Sequence, residues 1–179
     1  MSGEFEKELI HSCLKNDRKA QKTLYDNYSR KMMGVCIRYS NDTETAKDML
    51  QDGFIKIFGN LSTFQFNGSF EGWMRRIFVN TCLEHLRKTD ILHDAADLDY
   101  AAAPLSSGSH TAIEQMSAND LMKLINELPK GFRLIFNMYE IEGYSHKEIA
   151  DALNITESTS RSQLTRAKQL LKNKIQTEL

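Results

Sequence analysis

The stretch from Gly143 to Leu171, GYSHKEIADALNITESTSRSQLTRAKQLL, leaves this chain the fewest choices. Ser145 followed three residues later by Glu148 is the pattern of a capping box, in which each side chain takes a backbone N–H that the first helical turn leaves open. Ile149, Ala150 and Leu153 follow as an apolar stripe at helical spacing. Asn154 stands where the chain must reverse, and asparagine tolerates the left-handed conformation such a corner demands. Ile155 returns to the core, and Thr156 is placed to cap a second helix running through Leu171. Two short helices joined by a tight turn are therefore expected. The second has Leu164, Ala167 and Leu171 facing inward and Arg161, Ser162, Thr165, Arg166 and Lys168 facing outward.

In a helix-turn-helix the second helix enters the DNA major groove, with residues near its N-terminus at the base edges. Five Lys or Arg residues and no acid lie between Arg161 and Thr177, which suits a helix whose far end runs along phosphates. The plainer alternative is a helical hairpin with a solvated basic face. It accounts for the charge but not for the capping and turn chemistry beside it.

Upstream, the same helical period recurs. Phe5 to Leu14 reads as a helix with Phe5, Leu9, Ile10 and Cys13 on one face, and Ala20 to Tyr39 carries Leu24, Tyr25, Tyr28, Met32, Val35, Cys36 and Tyr39. Asn41-Asp42 breaks this pattern and offers a cap to a third helix. Its stripe of Ala46, Met49, Leu50, Gly53, Phe54, Ile57, Phe58 and Leu61 is the cleanest in the chain. Asp48, Gln51, Asp52 and Ile55 share the opposite side, a solvated acidic face unless a partner covers it. A loop from Leu61 leads to Ser69, positioned to cap a fourth helix, Phe70 to Lys88. Trp73, Arg76 and Asn80 fall on one side of that helix. Aromatic and basic groups together suit an unpaired DNA strand, since rings and guanidinium planes stack on bases while cations hold phosphates. The competing role for Trp73 is core packing, because Phe70 and Ile77 flank it.

The formal net charge is −1, so nothing global announces nucleic acid and any such signal is local. Between Thr89 and Met122 there are six acids and no Lys or Arg, with AAAPLSSGSHT inside, which reads as a flexible tether. Beyond it, Ser117 and Asp120 start a helix to Glu127. Pro129 opens the next at its first turn, Leu134, Ile135, Met138 and Ile141 form its apolar face, and Gly143 closes it. The expected fold class is all-α: two small helical domains, residues 1–89 and 117–179, joined by a flexible acidic linker at 90–116.

Function classes are excluded as well. There is no phosphate-cradling glycine loop, HExxH or nucleophile elbow, and the five histidines are scattered, so no catalytic residue, metal site or cofactor is expected. Cys13, Cys36 and Cys82 are widely spaced with no CxxC pair, and buried free thiols are the default. The absence of a signal peptide or long apolar run points to a cytoplasmic protein without membrane insertion.

The chain as a whole resembles the extracytoplasmic function (ECF) group of bacterial sigma factors. In the first half the resemblance rests on LYDNYSRKMMGVCIRYSNDTETAKDMLQDGFIKIF and FNGSFEGWMRRIFVNTCLEHLRK, and in the second on LPKGFRLIFNMYEIEGYSHKEIADALNITESTSRSQLTRAKQLL. It implies a region-two domain binding core RNA polymerase and the −10 promoter element, and a region-four domain reading the −35 element. Asp48, Gln51, Asp52 and Ile55 match the family's polymerase-binding helix. The loop Phe66, Asn67, Gly68 and Ser69 matches the family segment that pockets a flipped −10 base, and Asn67, Gly68 and Ser69 with Trp73, Arg76 and Asn80 are the expected −10 contacts. Arg161, Ser162, Thr165, Arg166 and Lys168 match its −35 helix, where Gln163 replaces a frequent basic residue. An anti-sigma factor is a further implied partner. The remaining alternative is a stand-alone helix-turn-helix regulator whose first domain senses a ligand or dimerises.

Overall fold

The computed structural model describes residues 3–40, 42–88 and 117–177. The stretch expected to be a linker, 90–116, lies outside the described residues, as does Asn41. Among the described residues the regular structure is entirely helical. The chain divides into two compact units, Met1–Leu86 and Arg87–Leu179.

The first unit contains α1 (Gly3–Leu14), α2 (Arg18–Tyr39), α3 (Thr43–Asn60) and α4 (Phe70–Lys88), with a short 3₁₀ turn at Leu61–Thr63. The starts of α2, α3 and α4 have a local cause. Asp17 accepts hydrogen bonds from the Lys19 and Ala20 amides at the head of α2, and Asp42 accepts from Thr45 N at 2.8 Å at the head of α3. Ser69 Oγ accepts from Gly72 N at 3.2 Å to open α4. Caps of this kind contribute about 1 kcal/mol each.

Packing follows the expected stripes, with informative departures. Leu9, Ile10 and Cys13 are buried, but Phe5 is 48% exposed and Tyr25 is 41% exposed. Both lie on the predicted apolar faces but are only partly covered. Tyr25 still rests its ring on Phe54 at 4.6 Å. On α3, Ala46, Met49, Leu50, Gly53, Phe54, Ile57 and the following Leu61 are buried and Phe58 is half-buried. Gly53 lies directly against the Phe78 ring of α4, so close that a side chain there would overlap it. Phe78 in turn meets Phe54 edge-on at 5.4 Å. Lys31 of α2 pairs with Glu71 of α4 at 2.6 Å, and Lys56 of α3 with Glu84 of α4 at 2.6 Å.

The second unit contains α5 (Ala118–Asn126), α6 (Lys130–Phe136), α7 (His146–Leu153) and α8 (Glu157–Thr177). Ser117 caps α5, and Pro129 occupies the cap position of α6, one residue before its first turn. α6 runs on into a wider π turn, Asn137–Ile141, in which Glu142 N donates to Asn137 O at 3.0 Å. Gly143 at φ 76° then ends the helix as expected. The core of this unit joins Leu124, Ile125, Leu128 and Phe132 to Ala167, Leu171 and Ile175 of α8. Arg133 is buried as well, donating to Asn126 O at 2.8 Å, and loss of hydration lowers its pKa from the ordinary arginine value.

Candidate nucleic-acid and partner interfaces

The α7–α8 turn forms through chemistry contained in a dozen residues. Ser145 Oγ accepts from Glu148 N at 3.2 Å while Ser145 N donates to the Glu148 carboxylate at 2.9 Å, closing the capping box. Asn154 adopts φ 55°, ψ 46°, the left-handed corner, and Thr159 N donates to Thr156 Oγ1 at 3.1 Å to start α8. Ile149 and Ala150 are buried beneath the turn, and Leu153 and Ile155 are half-buried.

This geometry presents Arg161, Ser162, Thr165 and Lys168 to solvent and leaves Arg166 half-exposed. Gln163 behaves differently: it is 6% exposed and packs inward, so it is not part of the outer surface. Ser160 is fully buried and shares a 2.9 Å hydrogen bond with His146 Nδ1, whose ring stacks on Tyr139 at 4.4 Å. This cluster ties α8 to the start of α7. Sequence reasoning missed it, since three polar or aromatic residues on separate elements carry no common spacing.

The basic run of α8 is partly neutralised from within the unit. Arg161 pairs with Glu157 at 2.5 Å, Lys168 with Glu140 at 2.6 Å and Lys174 with Glu127 at 2.6 Å. Arg166 and Lys172 have no acidic partner among the described residues. Arg166 is thus the cation in the first half of α8 that no carboxylate among the described residues neutralises.

In the first unit, Asp48, Gln51 and Ile55 are exposed on α3, Ile55 at 61%. Ile55 leaves most of its apolar side chain on the surface, beside the exposed Asp48 and Gln51 and the half-buried Asp52. Asp52 is half-buried, and its carboxylate accepts from His85 Nε2 of α4 at 2.8 Å. The four share the face opposite the buried stripe, but Asp52 is committed to a neighbour that the sequence did not suggest.

The loop before α4 is an aromatic cluster with a polar tip. Phe64 is buried against Phe70 at 5.1 Å and Trp73 at 5.5 Å. Phe66 meets Phe64 at 5.0 Å, and its other neighbour is His11 of α1, stacked at 5.4 Å and 8°. Asn67, Gly68 and Ser69 are exposed, with Gly68 at φ 115° making the bend into α4. Arg76 and Asn80 are exposed on one side of α4. Trp73 is half-buried, one part packed on Phe70 and the rest open to solvent. Core and surface roles for this ring therefore coexist. Among the described residues no group of His, Cys, Asp and Glu is arranged to hold a metal, and no helix is long and apolar enough to cross a membrane.

Comparison with known proteins joins these surfaces. The family profile Sigma-70 region 2 matches residues 24–91, and Sigma-70, region 4 matches residues 118–171. Both regions, in that order, define a sigma factor of the sigma-70 class. The chain is 28% identical over 179 residues to the ECF RNA polymerase sigma-E factor of Haemophilus influenzae, covering 94% of each chain. It is 25% identical over 186 residues to the RNA polymerase sigma-H factor of Pseudomonas aeruginosa, covering 98% of this chain and 96% of the relative. Its fold is similar to that of the sigma factor RpoE from Bartonella quintana, solved in complex with the anti-sigma factor NepR. The TM-score is 0.52 at 18% identity, over 85% of this chain and 94% of that one. The chain belongs to the ECF group of sigma factors, and its function is that of a sigma factor in transcription initiation. The two-region match disfavours the stand-alone regulator.

Proposed function

We propose that the chain recruits core RNA polymerase through the exposed face of α3, reads a −35 element with α8 and holds an unpaired −10 strand with residues 67–69 and the outer side of α4. The observation that carries this reading is the division of labour on α3. Its apolar stripe is consumed by the fold, while Asp48, Gln51 and the 61% exposed Ile55 are left without an internal role. On α8, Arg161, Ser162, Thr165 and Lys168 are exposed in the positions that a groove-bound helix uses, with Arg166 beside them. On α4, Trp73, Arg76 and Asn80 offer a ring, a cation and an amide to a strand whose bases are accessible only when unpaired.

The polymerase supplies all bond chemistry in this scheme, so the chain itself is not an enzyme and acts in the cytoplasm. An anti-sigma factor is the expected inhibitor, supported by the complex in which the similarly folded RpoE was solved. The domain limits that follow are 1–89 for polymerase and −10 binding and 117–179 for −35 binding, with 90–116 as tether.

The test is transcription with purified core polymerase across candidate promoters. Promoter-specific transcripts are expected, together with loss of core binding on reversing Asp48 and Asp52 to lysine. Breaking one side of interfacial charge pairs commonly costs about 2–5 kcal/mol. DNA binding by the chain alone, with no transcript from any promoter, would return the regulator reading.

A further inference from the structure

Phe66 holds φ 57°, a left-handed conformation that a bulky residue adopts only when its surroundings over-determine it. Two rings flank it here. Phe64 lies on one side at 5.0 Å, part of the buried cluster with Phe70 and Trp73. On the other is His11, from a helix remote in sequence, stacked nearly parallel at 5.4 Å. The His11 ring is itself anchored, because Nδ1 donates to Lys7 O of the same helix at 2.7 Å. That bond holds the ring plane. The residue directly after Phe66 is Asn67, the first of the exposed polar tip.

We infer that His11 is a positioning residue for the −10 loop: its ring clamps Phe66 in the left-handed state and thereby sets where Asn67, Gly68 and Ser69 point. The inference rests on the reading of this loop as the −10 contact. A base taken out of its stack is read by groups placed to within a few tenths of an ångström, so a loop free to relax Phe66 into an ordinary conformation loses that placement. Helix α1 lies outside the region-two match at 24–91, so this role is not part of what that match carries. His11 acts through Phe66 and has no need to touch DNA.

The experiment uses holoenzyme reconstituted with the full chain and a promoter it transcribes. Binding is measured to a fork-junction template in which the −10 segment is single-stranded, for His11→Ala, His11→Phe, Asn67→Ala and the parent. Trp73, the chain's one tryptophan, sits against Phe64 and reports on the loop by its fluorescence. An aromatic pair of this geometry predicts that His11→Ala weakens fork binding about two- to tenfold. It should also alter Trp73 emission while leaving helicity and binding to core polymerase unchanged, and His11→Phe should restore both fork binding and emission. Loss in Asn67→Ala with none in His11→Ala overturns the role of His11 and keeps the loop. Loss in His11→Ala that His11→Phe does not restore overturns the stacking mechanism. An unchanged Asn67→Ala removes the loop reading itself, and the inference with it.

Discussion

Gly53→Ala is a substitution whose sign the structure decides against helix propensity. Alanine in the interior of α3 is favoured over glycine by about 1 kcal/mol. A Cβ at this position, however, would stand 2.1 Å from Phe78 Cε1, with Cδ1 and Cζ at 2.5 and 2.6 Å. Carbon atoms in contact prefer about 3.5–4.0 Å, so the ring or the helix must give way by more than an ångström. Phe78 is wholly buried and edge-on to Phe54, so moving the ring disturbs packed core. Overpacking of this kind costs about 1–3 kcal/mol, and the depth of overlap argues for the upper part of that range. The net expectation is a loss of about 2 kcal/mol, or roughly 10 °C in Tm for a unit of this size. Gly34→Ala is the control. The nearest atom to its added Cβ is Arg38 Nη1 at 3.9 Å, an ordinary contact, so it should gain about 0.5–1 kcal/mol. Thermal unfolding followed by Trp73 fluorescence isolates the first unit. Phe78→Leu added to Gly53→Ala should cost less than the two changes summed. A Gly53→Ala protein as stable as the parent, or losses of equal size at both glycines, would refute the close approach of α3 to α4.

Other outcomes follow from the same geometry. Arg166→Ala should weaken −35 binding more than Arg161→Ala, because Arg161 must first release Glu157; a base contact is worth about 1–3 kcal/mol and a phosphate contact lowers the salt slope by about 1, both measurable by titration at several salt concentrations. Glu140→Gln should tighten DNA binding by freeing Lys168, and a weaker complex would contradict the pairing. Asn80→Ala should impair opening more than initial binding, and a pre-melted template should rescue it. The hydrogen bond from Lys31, with the charges of Lys31 and Arg75, holds the Glu71 carboxyl below its ordinary pKa. Its contribution is therefore present above the usual glutamate range and is lost as pH falls through the lowered value, so Glu71→Gln should flatten the acid limb of first-unit stability against pH.

The residues legible in the sequence were those whose partners lie within a turn. Ser145 and Glu148, Asn154, Thr156 and Asp42 each do what their local chemistry dictates, because capping and left-handed corners are settled within three or four residues. The stripe of α3 was equally plain, since period alone separates Gly53 and Ile57 from Asp48 and Ile55. Period does not say how completely neighbouring helices cover a face, so the exposure of Phe5 and Tyr25 and the burial of Gln163 were not legible in it. Nor does it pair polar groups across elements. Asp52 with His85 spans 33 residues and His146 with Ser160 spans 14, and both depend on where two helices cross. The same holds for the carboxylates that neutralise α8 and for His11 against Phe66. Local hydrogen bonding and helical period are properties of a segment, whereas the partner of a side chain across the fold is set by the angle and approach of the helices that carry it.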